Sequence, residues 1–421
     1  MHNIKRVILK EGIGLTCVKS NRSKTSCLSA MLLLPLGAES RSSAALLPYI
    51  LRSSCRDYAG KFAVAAKLDD LYGARLEPIV RKRGEAQMVG FVADVIDDRY
   101  ALEGMNHLFT GTADLMTSML LHPSTFDRTV LKRETDMLCA RIAALPDDKR
   151  LWAVRRMYQL MCADEAYSLT EFGDIDVLRE LTPDRLMQQY QDMMQHAPAE
   201  LFYCGSLDAE AVAEQLNEAV QDWNITDPIR PVFHTPCTPA GDLRMITEQE
   251  SVAQGKLTIG LRTGITAFDD DYPAMVLFNS CFGGSTSSRL FRTVREEMSL
   301  CYYASTQTDK LKGVMAVASG IENASEQQAR EEILHQLDEL QHGATEEEVN
   351  AARRSVIGSL RGMKDSPLAL ENFYQTQSAA GITDSLDELI SRIAHVTAED
   401  VTRAAQKAVP DTVYFLKGAD V

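Results

Sequence analysis

Residues 227–241, DPIRPVFHTPCTPAG, hold four of the chain's fourteen prolines. Proline fixes φ and has no N–H, so this stretch excludes helix and reads as an extended linker. The sequences on its two sides repeat one another. Strand-like CLSAMLLLPLGA is echoed by GKLTIGLRTGI, and AALLPYILRSS by YPAMVLFNSCFGG. Helical LKRETDMLCARIAAL is echoed by EVNAARRSVIGSL, and LTPDRLMQQYQDMMQHAPAELFYCGSLD by VTAEDVTRAAQKAVPDTVYFLKGAD. Four echoes in one order are the mark of a duplicated domain. The expected division is an N-terminal half 1–226, a linker 227–241 and a C-terminal half 242–421.

Within each half the patterning is α+β. Arg6–Leu9 and Leu15–Val18, separated by Gly12 and Gly14, predict an opening hairpin. Cys27–Leu36 is apolar enough for a buried strand, and Arg75–Ile96 alternates like strand. From Ala101 to about residue 163 the periodicity is helical. Thr182-Pro183-Asp184 opens another helix, with a capping threonine and proline at the first position. Thr345-x-x-Glu348 has the form of a capping box.

Composition narrows the partners. The 421 residues carry 44 basic and 59 acidic side chains, a net charge of -15, which argues against nucleic acid or anionic membrane. No run is long enough to span a bilayer. The start, MHNIKRVILKEGIG, lacks the long apolar centre of a signal peptide. Nine cysteines, none in a CxxC, read as reduced buried thiols, and the expectation is a cytoplasmic protein.

The richest chemistry lies between Cys281 and Tyr303, CFGGSTSSRLFRTVREEMSLCYY. Gly283 and Gly284 allow a tight turn, and the hydroxyl residues from Ser285 onward suit the start of a helix. Leu290, Phe291, Val294 and Met298 form an apolar stripe at helical spacing, with Arg289, Arg292 and Arg295 off it. A strand from Leu300 to Ala304 must then point Tyr302 and Tyr303 to opposite faces. Arg295 and Tyr302 are both donors that suit a peptide carbonyl or the oxyanion of a tetrahedral intermediate. On spacing alone they also fit a surface arginine and a half-buried tyrosine.

From Gly283 to Tyr302, without a gap, this stretch resembles the C-terminal-half motif of the insulinase family of zinc metalloproteases, in its processing-peptidase branch. The resemblance implies two duplicated α/β-sandwich halves joined by an extended linker and facing each other like a clam around a peptide chamber. It implies that Arg295 and Tyr302 match the family's arginine–tyrosine pair, which binds substrate and stabilises the transition state. It also places Gly283, Gly284 and Ser285 near the bound peptide.

Active members carry His-x-x-Glu-His on a first-half helix, and a glutamate from a later helix completes the zinc site. This chain has no such motif. Its histidines, His2, His107, His122, His196, His234, His335, His342 and His395, include no ligand pair at close helical spacing. Placed by its position after Pro35-Leu36-Gly37, the motif slot falls on Ala45, Leu46, Leu47, Pro48 and Tyr49. The family's glutamate spacing from Glu134 lands on Arg141, whose guanidinium would repel a metal.

His335 and Glu339 stand four apart on a helix, but two ligands hold zinc poorly and a solvated face is the better reading. Phe282-Gly283-Gly284-Ser285 lacks the lysine and spacing of a P-loop. Met116, Met119, Met157 and Met161 suit a core, and Cys301 has no histidine near it in sequence.

The chain thus keeps the arginine–tyrosine half of the site and lacks the zinc half. The resemblance implies the non-metal subunit of a bacterial-type heterodimeric metalloendopeptidase, without peptidase activity alone. It would hold no cofactor itself, and its partner would carry His-x-x-Glu-His and zinc and act on a peptide substrate. The alternative is a catalytically inert peptide-binding or scaffold subunit.

Overall fold

The computed structural model describes residues 3–102, 107–124, 126–233, 235 and 238–418. His2, His234 and Cys237 therefore lie outside the described residues. The chain forms two compact units, each assembled from three segments.

Unit 1 comprises Met1–Ala143, Leu169–Val232 and Gly362–Thr383. Its sheet has the order β1-β2-β6-β3-β5-β4. The strands are β1 (Asn3–Lys10), β2 (Ile13–Lys19), β3 (Thr25–Pro35), β4 (Arg75–Arg83), β5 (Ala86–Ile96) and β6 (Ala199–Gly205). The expected hairpin is β1–β2, and the alternation over 75–96 resolves into a second hairpin, β4–β5. β3 is buried along almost its whole length because it is an inner strand, between β5 and β6, with helices packed on both of its faces. That is why it reads as a continuous apolar run.

Helices α1 (Arg41–Leu51), α2 (Lys61–Asp70), α3 (Leu108–Leu121), α4 (Arg128–Ala143), α6 (Ile175–Arg179), α7 (Pro183–His196), α8 (Ala209–Ala219) and α12 (Pro367–Ala380) complete the unit. Leu46, Leu47, Leu115, Met116 and Leu120 pack from these helices onto Leu28, Leu32 and Phe91 of the sheet. Each such side chain contributes about 1.5–3 kcal/mol. Thr182 caps α7 as expected, its Oγ1 accepting from the Arg185 N–H at 3.3 Å, with Pro183 at the first turn.

Unit 2 comprises Ala144–Ser168, Phe233–Arg361 and Asp384–Val421. Its sheet has the order β7-β11-β8-β10-β9, from β7 (Arg244–Glu250), β8 (Gly255–Arg262), β9 (Cys301–Asp309), β10 (Val314–Ile321) and β11 (Val409–Gly418). Its helices are α5 (Lys149–Met161), α9 (Tyr272–Asn279), α10 (Glu326–His342), α11 (Glu346–Met363), α13 (Leu386–Ala394) and α14 (Ala398–Gln406).

The two sheets have the same construction. β11 is parallel to β7 and antiparallel to β8, as β6 is parallel to β2 and antiparallel to β3. β8–β10–β9 then runs antiparallel, as does β3–β5–β4. The duplication read from sequence echoes is therefore present strand by strand, with β1 the addition in unit 1.

The helical stretch expected through 163 is broken between α3 and α4 and again at 144–148, and its last part belongs to the other unit. α5 lies on β8 and β11, where Met157 and Met161 close over Gly260. Correspondingly, α12 lies on β3 and β6, where Gln375 donates to Ser29 Oγ at 2.8 Å and to the Glu200 carbonyl at 2.9 Å. Each unit thus takes a helix from the other half of the chain, an exchange that no division into continuous halves contains. The described residues of 227–241 form neither helix nor strand.

Candidate functional site: an irregular segment that presents Arg295 and Tyr302

In unit 2, the chain from α9 into β9 departs from regular geometry at four successive places. Ser280–Gly284 and Leu290–Glu297 are wound in wide π-type turns, where the sequence predicted a capped α-helix. Such turns add a residue per turn and frequently mark functional sites. The second segment closes with Met298 N–H donating to the Thr293 carbonyl at 2.9 Å and Leu300 N–H to that of Val294 at 3.0 Å. Between them Ser299 sits at φ 51, in the left-handed region. The β9–β10 register then pairs Cys301 with Ile321 but Tyr303 with Gly320, leaving Tyr302 as the extra residue of a bulge. Bulges re-aim side chains at sheet edges, and β9 is an edge strand.

The wide turns still bury an apolar face. Leu290 and Val294 are fully buried, whereas Met298, the last member of the expected stripe, is 36% exposed. Arg295 lies on the opposite side, its guanidinium carbon 4.5 Å from the Phe291 ring centroid and its Nε 3.5 Å from Glu296 Oε1. Tyr302 is 69% exposed. Tyr303 is half-buried by contrast, on the face of the sheet that α5 covers. Arg150 stacks 4.2 Å from its ring centroid, and burial pushes its phenol up to about 12. Among the described residues no hydrogen bond joins Arg295 to Tyr302. The structure places them on adjoining elements, Tyr302 exposed and Arg295 paired only loosely with its neighbour Glu296.

The glycine pair has a packing reason. A Cβ on Gly283 would stand 2.7 Å from Thr306 Cγ2 and 3.0 Å from Leu290 Cδ1, and one on Gly284 would stand 2.7 Å from Asn279 Nδ2. The turn can lie against β9 only without side chains there. Gly283 is buried in that contact, and Ser285 Oγ donates to the Ser280 carbonyl at 3.0 Å.

Arg289 and Arg292 have a separate task. Arg289 makes a two-pronged ion pair with Glu348 at 2.8 and 3.0 Å, and Arg292 reaches it at 3.4 Å. The same carboxylate completes the expected capping box. It accepts from Thr345 N–H at 3.0 Å and from Thr345 Oγ1 at 2.9 Å, and its own N–H donates back at 3.3 Å. Burial would raise its pKa, but Arg289 and Thr345 together pull it down to about 2. The Ser-Arg-Leu-Phe stretch is thereby anchored to α11.

Unit 1 contains the positions where the resemblance puts zinc. Ala45, fully buried, offers a methyl group, and Pro48 interrupts the α1 ladder. The Tyr49 hydroxyl accepts a hydrogen bond from Arg141, whose guanidinium carbon lies 5.1 Å from the Tyr49 ring centroid. Burial raises the Tyr49 pKa and Arg141 opposes the rise. The nearby carboxylate, Glu134, is buried between Lys61 at 3.2 Å and Arg133 at 2.9 Å. A methyl, a phenol committed to a guanidinium and a carboxylate held by two cations do not form a zinc site. The sequence register placed Tyr49 and Arg141 on separate helices at one slot, and the structure brings them into contact.

His335 and Glu339, set aside in the sequence, are joined by Asp338, with ligand atoms within 4.8 Å of one another. All three are exposed on α10. The eight described cysteines are all free and buried. The irregularities at Ser299 and Tyr302 had no sequence signal beyond the non-glycine turn itself, since a bulge depends on the partner strand's register.

Fold and site together define a duplicated α+β scaffold of the metallopeptidase type whose metal positions are occupied by non-ligands. Comparison with known proteins agrees. A family model described as the peptidase M16 inactive domain matches residues 180–356. The chain is 31% identical over 413 residues to the probable inactive metalloprotease YmfF of Bacillus subtilis, covering 97% of this chain and 96% of that protein. An uncharacterized zinc protease of Streptomyces coelicolor is 25% identical, over 70% of this chain and 64% of its own length. Among solved structures, a conserved protein from Enterococcus faecalis superposes with a TM-score of 0.87 at 24% identity, with 99% of each chain covered. A peptidase M16 inactive domain from Pseudomonas fluorescens superposes with a TM-score of 0.78 at 17% identity, over 100% of this chain and 99% of that one. The chain belongs to the M16 (insulinase-type) peptidase family and is an inactive-type member of it. Among the described residues no helix is long and apolar enough to cross a membrane.

Proposed function

We propose that this protein is the non-metal subunit of a heterodimeric zinc metalloprotease. A partner of the same family supplies His-x-x-Glu-His and zinc. This chain supplies Arg295 and Tyr302 to hold the peptide backbone and stabilise the oxyanion that forms at the scissile carbonyl. Gly284 and Ser285, on the adjoining turn, flank the peptide. The observation that carries this reading is the concentration of irregular backbone around these two side chains. Two wide-turn segments, a left-handed serine and a bulge lie within one stretch, which leaves Tyr302 exposed and Arg295 half-buried beside it in sequence. Irregular or strained backbone of this kind persists where a function maintains it. The Tyr49–Arg141 contact supports the other half of the proposal, that zinc comes from elsewhere.

The test is co-purification from the source extract, with the recovered chains identified by mass spectrometry. The proposal expects a stoichiometric companion of similar size carrying His-x-x-Glu-His. Recovery of the chain alone or as a homodimer would overturn it.

One observation favours the alternative of an inert peptide-binding or scaffold subunit. Arg295 rests on Phe291 and makes no hydrogen bond to Tyr302. On that reading the pair grips peptide without taking part in turnover, and a partner's activity would be indifferent to both side chains.

A further inference from the structure

Unit 1 has a cavity of about 690 Å³ between α4 and the corner where α6 meets α7. The volume is that of a site for a small organic ligand. Its charge is unusual for this chain. Arg128, Lys132 and Arg179 line it against only two carboxylates, Asp136 and Asp184, which leaves one excess positive charge in a protein of net -15. Asp136 is already engaged by Lys132 at 2.7 Å. Arg128 and Arg179 are both exposed, and among the described residues neither has a hydrogen bond or an ion pair. In a chain with 59 acidic and 44 basic residues, two unpaired arginines on one cavity are conspicuous.

A second observation is independent of charge. Thr135 lines the same cavity from the middle of α4, is 7% exposed, and its Oγ1 has no hydrogen-bond partner. A threonine inside a helix ordinarily gives its hydroxyl proton to the carbonyl four residues earlier, and Thr135 does not. A buried hydroxyl without a partner costs about 1–3 kcal/mol, and this one is enclosed in the wall rather than open to the cavity, which marks imperfect packing there. Between these polar groups part of the surface is apolar, from the half-buried Leu181 and Pro183. Arg179 also lies close enough to Cys139 to oppose the burial that raises that thiol's pKa, which places its charge over α4.

We propose that this cavity binds a small amphipathic anion. A carboxylate or phosphate head is held by Arg128 and Arg179, and its short apolar body covers the partly exposed Leu181 and Pro183. Guanidinium groups pair with either head in two-pronged fashion, so the chemistry is shared and the source is for experiment to decide. The site lies in unit 1 and does not depend on the split-protease reading.

The test is isothermal titration of the full chain with hexanoate, hexyl phosphate, inorganic phosphate and hexylamine. Saturable binding is expected for one of the two hexyl anions, and the tighter one identifies the head group. Arg128→Met and Arg179→Met should each weaken it about 10-fold or more, as loss of a charge-assisted hydrogen bond does. Both side chains are exposed, so neither change should disturb folding, and circular dichroism verifies this. Three results would overturn the proposal: no saturation by either hexyl anion, unchanged affinity in both arginine variants, or equal binding of hexylamine. Inorganic phosphate binding as tightly as hexyl phosphate would refute the apolar half of the site.

Discussion

At the scale of single residues, two groups carry testable energetics. Glu348 has a folded-state pKa of about 2 against an ordinary 4.5. A depressed carboxylate pKa means the unfolded chain binds the proton more readily. Its stabilisation is therefore complete above about pH 4.5 and is lost as pH falls towards 2. A shift of that size corresponds to roughly 3 kcal/mol. Urea denaturation of wild type and Glu348→Gln should show a large gap at pH 7 that narrows progressively below pH 4.5, and a gap independent of pH would contradict this assignment. Ser299, at φ 51, tests the turn between Arg295 and Tyr302. Ser299→Val should cost about 1–2 kcal/mol, because a β-branched side chain resists the left-handed region, while Ser299→Gly should be neutral or stabilising. Thermal unfolding of the two variants distinguishes them, and equal melting temperatures would mean the turn rearranges.

At the scale of elements, the contact between α1 and α4 stands where a metal would otherwise join two helices. Tyr49–Arg141 and the Lys61–Glu134–Arg133 cluster fill that slot. Melting temperature should accordingly be unaffected by a chelator or by added Zn²⁺, and a zinc-dependent rise would show that ligands do converge there. Gly283→Ala should destabilise by about 1–3 kcal/mol, since its methyl would press on Thr306 and Leu290 where the turn meets β9. Loss of that stability in urea titration would confirm the close packing, and a neutral result would mean the turn can lift away.

Elements were also where sequence reasoning reached furthest and then failed. Caps at Thr182 and Thr345 and the buried run of β3 follow from local rules and were legible. The wide turns over Leu290–Glu297 were not, because their apolar residues still satisfy a helical period while the extra residue per turn is absorbed by packing on β9. The bulge at Tyr302 depends on where β10 pairs, which β9's own residues do not encode.

At the scale of the molecule, duplication explains more than any motif. One strand plan occurs twice, with β9 in unit 2 in the place of β4 in unit 1 and α9 in the place of α1. The two copies differ in what they present. The unit 1 copy holds a guanidinium–phenol contact where the family resemblance puts the metal, while the unit 2 copy holds an arginine and a tyrosine at a distorted strand edge. The echoes made the duplication readable, but the exchange of α5 and α12 between units was not, because helix faces alone do not say which sheet they cover.

The central claim is that a partner's catalysis passes through Arg295 and Tyr302. The most direct measurement is peptide turnover by the reconstituted complex, comparing wild type with Arg295→Ala and Tyr302→Phe after confirming equal assembly. kcat is expected to fall by roughly 10²-fold or more in each variant, as removal of an oxyanion donor does. Full activity in both variants would contradict it and leave this chain a scaffold.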